Sequence, residues 1–223
     1  VSSVEERRDA CLNAIDELLC YLRRQQDSDI ARELNARFDS PGAILEAGAH
    51  ELSKTSLTAN EARLLALMPP LVRSIERTAW GSHPRLDSAR ACTRYLSTLF
   101  IGMPCERFYA LSLDGTGLLT AVTLLGQGTL DETPFYLGAL LKGAVETDAR
   151  CMVLSHNHPG GTLQPSRADI DCTKQAQQAL QKLGITLVDH IIVADGMGVS
   201  LRQNGFIDIS PEQDARLCVD WLK

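Results

Sequence analysis

Ser155-His156-Asn157-His158-Pro159-Gly160-Gly161-Thr162-Leu163-Gln164-Pro165-Ser166-Arg167-Ala168-Asp169 lies between an apolar run, Cys151-Met152-Val153-Leu154, and a stretch of helical spacing that stops at Gly184. The apolar run reads as a short buried strand ending at Leu154, and the segment with Pro and paired Gly as a loop. The spacing predicts a helix over 167–183 and, after it, a strand rich in β-branched residues over 185–194. One more short strand is expected at 199–201. Upstream, 108–113 and 118–125 are apolar and strand-like, separated by the turn Asp114-Gly115-Thr116-Gly117, and 134–145 reads as a helix. Strands alternating with helices predict an α/β fold, a sheet with helices on its faces.

Toward the N-terminus the pattern is helical from residue 8 to 77. Leu12, Ile15, Leu19 and Leu22 recur at three and four residues and give one apolar stripe. A second helix is expected over 29–38, stopped by Asp39-Ser40-Pro41-Gly42, and a short third over 41–49. Asn60 is expected to cap a helix running to Leu67, which Pro69-Pro70 then breaks or kinks before 71–77. With no strand signal, residues 1–80 read as a small all-α domain. Trp80-Gly81-Ser82-His83-Pro84 reads as the linker, and 88–100 as one more helix stopped by Gly102-Met103-Pro104.

The 223 residues are 44% hydrophobic and 22% charged, enough for a large domain or a catalytic domain with a small companion, and not a disordered chain. The net charge of −6 is evenly spread: 10 basic and 13 acidic side chains in residues 1–83, 12 and 15 in 84–223. Neither part has the Lys and Arg density that grips phosphates, which disfavours strong nonspecific nucleic-acid binding and leaves only a local patch open. No apolar run approaches the roughly 20 residues of a membrane helix. The polar opening Val1-Ser2-Ser3-Val4-Glu5-Glu6-Arg7-Arg8 has no apolar signal-peptide core. Seven cysteines, at 11, 20, 92, 105, 151, 172 and 218, form no Cys-x-x-Cys and sit mostly within apolar runs. They read as reduced thiols packed as small hydrophobes in a cytoplasmic protein.

Chemistry concentrates after the buried strand. Residues two apart in extended chain point the same way, roughly 6.6 Å apart, so His156 and His158 can converge on one ion. Zinc accepts two nitrogens at about 2.0–2.1 Å with a carboxylate oxygen, and a catalytic site leaves the fourth position to water. Asp169, opening the next helix, can supply that oxygen once the loop has turned back. Each piece has a structural reading as well. Ser166-x-x-Asp169 is a helix cap with a carboxylate at the third position, favoured by the helix dipole, and such a cap would itself position Asp169. Other first-row ions also suit a His/His/Asp set.

The spacing His156-x-His158-x7-Ser166-x2-Asp169 resembles the JAMM motif of the JAB/MPN zinc metallopeptidases. The wording His156-Asn157-His158-Pro159 with Pro165-Ser166 is similar to the bacterial RadC branch. Gly126-Gln127-Gly128-Thr129-Leu130 resembles that branch's turn after the second strand, and Asp189-His190-Ile191-Ile192-Val193 with Ser200 its closing strands. The resemblance implies a mixed sheet flanked by helices, a JAB/MPN-like sandwich over 85–205, behind the helical domain 1–80 and followed by a tail, 206–223. It implies Zn2+ on His156, His158 and Asp169. It also implies Glu106 on the first strand as acid and base for the metal-bound water, and Ser166 as donor to the tetrahedral oxyanion. His190 reads as a packing or supporting group, because a fourth protein ligand would close the site.

Two departures qualify the match. The helical domain resembles one carrying a helix-hairpin-helix, whose glycine-rich turn lets amides approach phosphate. Here that turn is Ser53-Lys54-Thr55-Ser56-Leu57-Thr58-Ala59-Asn60-Glu61, without a glycine, so Cβ atoms obstruct the approach. Thr133-Pro134-Phe135-Tyr136-Leu137-Gly138-Ala139 lacks the Arg-Glu pair usual in the branch; Phe135, Tyr136 and Leu137 read as core more than as substrate groove. The expected function is a zinc metallopeptidase cleaving a peptide or isopeptide bond of a peptide or protein substrate. The alternatives are a catalytically silent adaptor that keeps the fold, and a DNA-repair factor or nuclease. No Asp-His pair follows the His-x-His as a metallo-β-lactamase-like nuclease would want.

Overall fold

The structure of the chain, a computed structural model, describes residues 4–25, 29–38, 41–103, 105–128, 133–159 and 161–209. They form two compact units, drawn from residues 1–75 with 101–104 and from 76–100 with 105–223.

The first unit is helical: α1 (Val4–Arg23), α2 (Ile30–Phe38), α3 (Pro41–Glu46), α4 (Ala49–Leu52) and most of α5 (Ala59–Trp80). Ile15, Leu19, Leu34, Ile44, Leu52 and Leu65 bury their side chains in one core. The α1 stripe is not buried to its end, since Leu22 is half exposed. Two expectations are corrected. The cap of α5 is Thr58 rather than Asn60. The Thr58 amide donates to Glu61 Oε2 at 2.7 Å, and Thr58 Oγ1 accepts from the Glu61 amide at 3.4 Å. Threonine with glutamate three residues on satisfies two orphan amides reciprocally. The helix also runs through Pro69 and Pro70. Proline's fixed φ is helical, so the element survives the loss of two donors. The buried Pro69 ring lies against Gly102, at φ +61, where any side chain would overlap it.

Arg23 holds the buried Glu61 carboxylate through Nε at 2.7 Å and Nη2 at 2.8 Å. Those bonds outweigh burial, which pushes the other way, and bring Glu61 down to about 2. A carboxyl depressed by folding stabilises above its unfolded value and loses that contribution as pH falls through its native one. The helical unit is therefore expected to lose up to about 3 kcal/mol between pH 4.5 and about 2. Glu61→Gln should remove this part of the acid sensitivity. Urea unfolding across that pH range measures both.

The second unit opens with the last residues of α5 and with α6 (Ala89–Leu99), capped by the Ser88 hydroxyl, which accepts from the Ala91 amide at 3.2 Å. β1 (Arg107–Leu113), β2 (Leu119–Gln127), α7 (Thr133–Glu146), β3 (Cys151–Asn157), α8 (Arg167–Lys182), β4 (Thr186–Ala194) and β5 (Met197–Ser200) follow. The sheet order is β2-β1-β3-β4-β5, antiparallel except for the β3–β4 pair. This is the expected mixed sheet flanked by helices. Alternation along the strands sorts residues to two cores. Leu111, Leu113, Cys151 and Val153 pack with α6, while Phe108, Ala110, Met152 and Leu154 pack with α7 and α8.

The strand expected to end at Leu154 continues to Asn157. β1 and β4 flank it on both edges, pairing His156 with Phe108 and with Ile192. Tertiary pairing thus satisfies the backbone of a polar stretch that carries no apolar signal. Tyr136 is core: its ring lies 4.8 Å from that of Phe108 and its hydroxyl donates to the Cys172 carbonyl at 3.1 Å. Leu137 packs partly buried beside it, and the Phe135 side chain is outside the described residues. Ile207, in the segment expected as a tail, is buried against Ile192 and Leu201; residues 210–223 lie outside the described residues. The six described cysteines are free thiols, and burial pushes Cys151 up to about 12. Cys218 lies outside the described residues. Among the described residues no helix is long and apolar enough to cross a membrane.

Candidate metal centre

The site forms where β3 ends and α8 begins, at the carboxyl end of a parallel strand–helix–strand unit, the place where α/β sheets open toward ligands. His156 is held by strand pairing on both sides. His158 lies just beyond β3, its amide donating to the Val193 carbonyl at 2.9 Å, so the two rings leave the chain in the same direction. The loop then turns back, with the Gly161 amide donating to the His158 carbonyl at 3.1 Å and Gly161 at φ +77. Gly160 lies outside the described residues.

Asp169 reaches the histidines because Ser166 caps α8. Ser166 Oγ accepts from the Asp169 amide at 3.1 Å, and the Ser166 amide donates to Asp169 Oδ2 at 2.8 Å. The cap reading is borne out, and the same cap brings Asp169 to the two histidines. One carboxylate oxygen closes the capping box, and Oδ1 lies 3.2 Å from His156 Nε2. His156 Nε2 and His158 Nε2 are 2.9 Å apart, and His158 Nε2 is 3.7 Å from Asp169 Oδ2.

These separations suit a metal ion. Ligand atoms at about 2.0–2.1 Å from a tetrahedral ion lie roughly 3.3 Å from one another; His156 Nε2 stands 2.9 Å from His158 Nε2 and 3.2 Å from Asp169 Oδ1, and one ligand atom from each of the three residues lies within 4.8 Å of the others. His158 Nδ1 donates to the Thr162 carbonyl at 2.9 Å, which leaves its Nε2 facing the centre. Burial pushes the Asp169 carboxyl up, but bonds from His156, His158 and the Ser166 amide win and hold it well below the usual carboxylate range. His158 is raised chiefly by its contact with Asp169, against burial that lowers it. A divalent cation held by these three side chains would take over what these protons do. Among the described residues this buried trio is the group of side chains placed to hold a metal.

Glu106 sits one residue before β1 rather than on it, with Oε1 4.0 Å from His158 Nε2 and its side chain 31% exposed. Of the five residues picked from the sequence, the structure thus clusters His156, His158 and Asp169, seats Ser166 on Asp169, and brings Glu106 to the rim.

A family profile described as RadC-like JAB domain matches residues 86–206. The UPF0758 protein of Rhodobacter capsulatus is 34% identical, over 83% of this chain and 87% of its own length. That of Azotobacter vinelandii is 32% identical over 91% and 92%, and that of Pseudomonas fluorescens 35% over 80% of each. The chain belongs to the RadC-like JAB domain family.

Sequence reasoning missed two side chains at this RadC-like site. Asn157, between the paired histidines, reaches back across β1: its Oδ1 accepts from the Arg107 amide at 2.8 Å and its Nδ2 donates to the Cys105 carbonyl at 3.2 Å. It grips the peptide groups on either side of Glu106, whose own carbonyl accepts from Gly128 at 2.9 Å. A short amide at a strand end was the available signal, since it can prolong a ladder. Asn157→Leu leaves both peptide groups unpaired and is expected to lower the unfolding free energy by about 1–3 kcal/mol, measured by urea denaturation. Thr173 had no signal, being one turn along α8 with no charge or motif to mark it; its hydroxyl donates to the Asp169 carbonyl at 2.6 Å and meets His190 Nδ1 at 2.6 Å. His190, fully buried, touches His156 Nδ1 through Nε2 at 2.8 Å. It braces the His156 ring through Nδ1, the nitrogen other than the one that faces Asp169 and His158. Burial, and then the charge on His156, hold its imidazole well below the usual range.

Proposed function

We propose that the protein is a zinc-dependent metallohydrolase of the JAMM type that cleaves a peptide or isopeptide bond. The observation that carries this reading is the trio His156, His158 and Asp169, of which His158 is partly exposed, with a partly exposed carboxylate, Glu106, 4.0 Å from one of its nitrogens. Three protein ligands and a free fourth position are the arrangement of catalytic rather than structural zinc. Bound there, zinc supplies Lewis acidity and eases deprotonation of water near neutral pH.

The protein's own groups do the rest. Glu106 accepts a proton from the attacking water as the new C–O bond forms, then delivers it to the leaving amine nitrogen as the C–N bond breaks. Water is consumed, and a carboxyl and an amine result. Ser166 Oγ already accepts from the Asp169 amide, so its own proton is free to be donated to the oxyanion. Asn157 and Gly128 hold the Glu106 backbone while this proton moves.

Features of the helical unit support packing or protein contact over a DNA grip. At the hairpin turn the Ser56 amide and hydroxyl both face the Glu33 carboxylate, at 3.4 and 2.5 Å, and Lys54 pairs with Glu51 at 2.6 Å. A phosphate would meet an acid where it needs amides. Retention of DNA on a filter at low salt would count against this.

The reading is tested by offering peptide and isopeptide-linked substrate libraries and scoring cleavage by mass spectrometry. Cleavage abolished by a chelator and by Glu106→Gln supports it. A protein that binds zinc and cleaves neither library is an adaptor.

A further inference from the structure

The three contacts behind His156 form a chain whose proton positions are forced. A carbonyl carries no proton, so at 2.6 Å the Thr173 hydroxyl must donate to the Asp169 carbonyl. Having spent its one proton, Thr173 Oγ1 must accept from His190, which fixes the His190 proton on Nδ1. His190 is completely buried, and an imidazolium there would lack a carboxylate partner at its Nε2, which faces His156. Nε2 is therefore a lone pair, and at 2.8 Å it must accept from His156 Nδ1. The remaining nitrogen of His156, Nε2, then points toward Asp169 Oδ1 and faces the metal position. Phe108 walls the arrangement, its ring 5.4 Å from His190 and 5.8 Å from His156.

We propose that Thr173 and His190 are positioning residues that hold His156 with its Nδ1–H donated to His190 and so direct its Nε2 to the metal position. The chain starts on the backbone of one ligand, Asp169, and ends on the ring of another, His156, tying α8 to β3 through β4. The consequence for metal affinity rests on the zinc reading of the site; the placement of the Nδ1 proton does not.

Two measurements on the full-length protein test it. In the metal-free state, long-range 1H–15N correlation spectra show which ring nitrogens carry protons. Wild-type His156 is expected to carry a fixed proton on Nδ1, and Thr173→Val and His190→Leu to lose that fixed Nδ1 proton. Zinc titrated against a chromophoric chelator is expected to bind both variants about 10–100-fold more weakly. Thr173→Val is isosteric and keeps the fold, as circular dichroism and thermal unfolding will show. His190→Gln can accept from His156 and donate to Thr173, and should recover most of the affinity, which a packing role alone would not produce. An unprotonated Nδ1 on wild-type His156, or undiminished zinc affinity in Thr173→Val and His190→Leu, overturns the proposal. A wild type that binds no zinc overturns the metal reading, and the spectra then decide the Nδ1 proton by themselves.

Discussion

Glu106→Gln is expected to lower hydrolysis by about 10²- to 10⁴-fold, the range for removing a general acid–base, with zinc affinity within a few-fold of wild type. Glu106 lies at the rim of the trio and not within it, so its loss leaves the ligand set whole. The amide is nearly isosteric with the carboxylate and disturbs no bond of the Asn157 clamp, which engages only backbone groups beside it. What disappears is the capacity to take and return a proton. Turnover of the best library substrate, paired with a zinc titration, separates the two effects. Equal losses of zinc and activity would make Glu106 a ligand instead.

Asp169→Asn should weaken zinc binding by more than the 10–100-fold typical of supporting residues, because it removes a ligand charge outright. The asparagine oxygen can still accept from the Ser166 amide, so the capping box on α8 survives in part. Asp169→Ala loses the acceptor as well, and its metal-free form is expected to unfold about 0.5–2 kcal/mol more easily than Asp169→Asn. The difference between the two variants isolates the cap from the ligand. It is read by chelator competition for zinc and by denaturation without metal.

The metal trio was legible because its spacing obeys local rules. A period of two puts His156 and His158 on one side of a strand, and a serine three residues before an aspartate announces a helix start. Glu106 was not legible by chemistry alone, since a charged residue heading an apolar strand looks like any solvated strand end; only the family resemblance pointed to it. The strand end at Asn157 was hidden because Ser155, His156 and Asn157 owe their burial to β1 and β4, which the local pattern does not contain. Contacts across long separations were hidden for the same reason. Asn157 reaches back 50 residues to Arg107, and Thr173 reaches His190 17 residues on. Pro69 and Pro70 misled in the other direction, because a local rule against proline in helices gave way to a buried ring packed within the helical unit.

The central claim is that His156, His158 and Asp169 hold a catalytic metal, and metal content tests it most directly. Protein purified without a metal-affinity step, beside His158→Ala, would be submitted to elemental analysis before and after zinc is offered at neutral pH. The account predicts about one zinc per chain in the wild type, lost in the variant. A wild type that takes up no metal under either condition would contradict it and leave the fold as an adaptor.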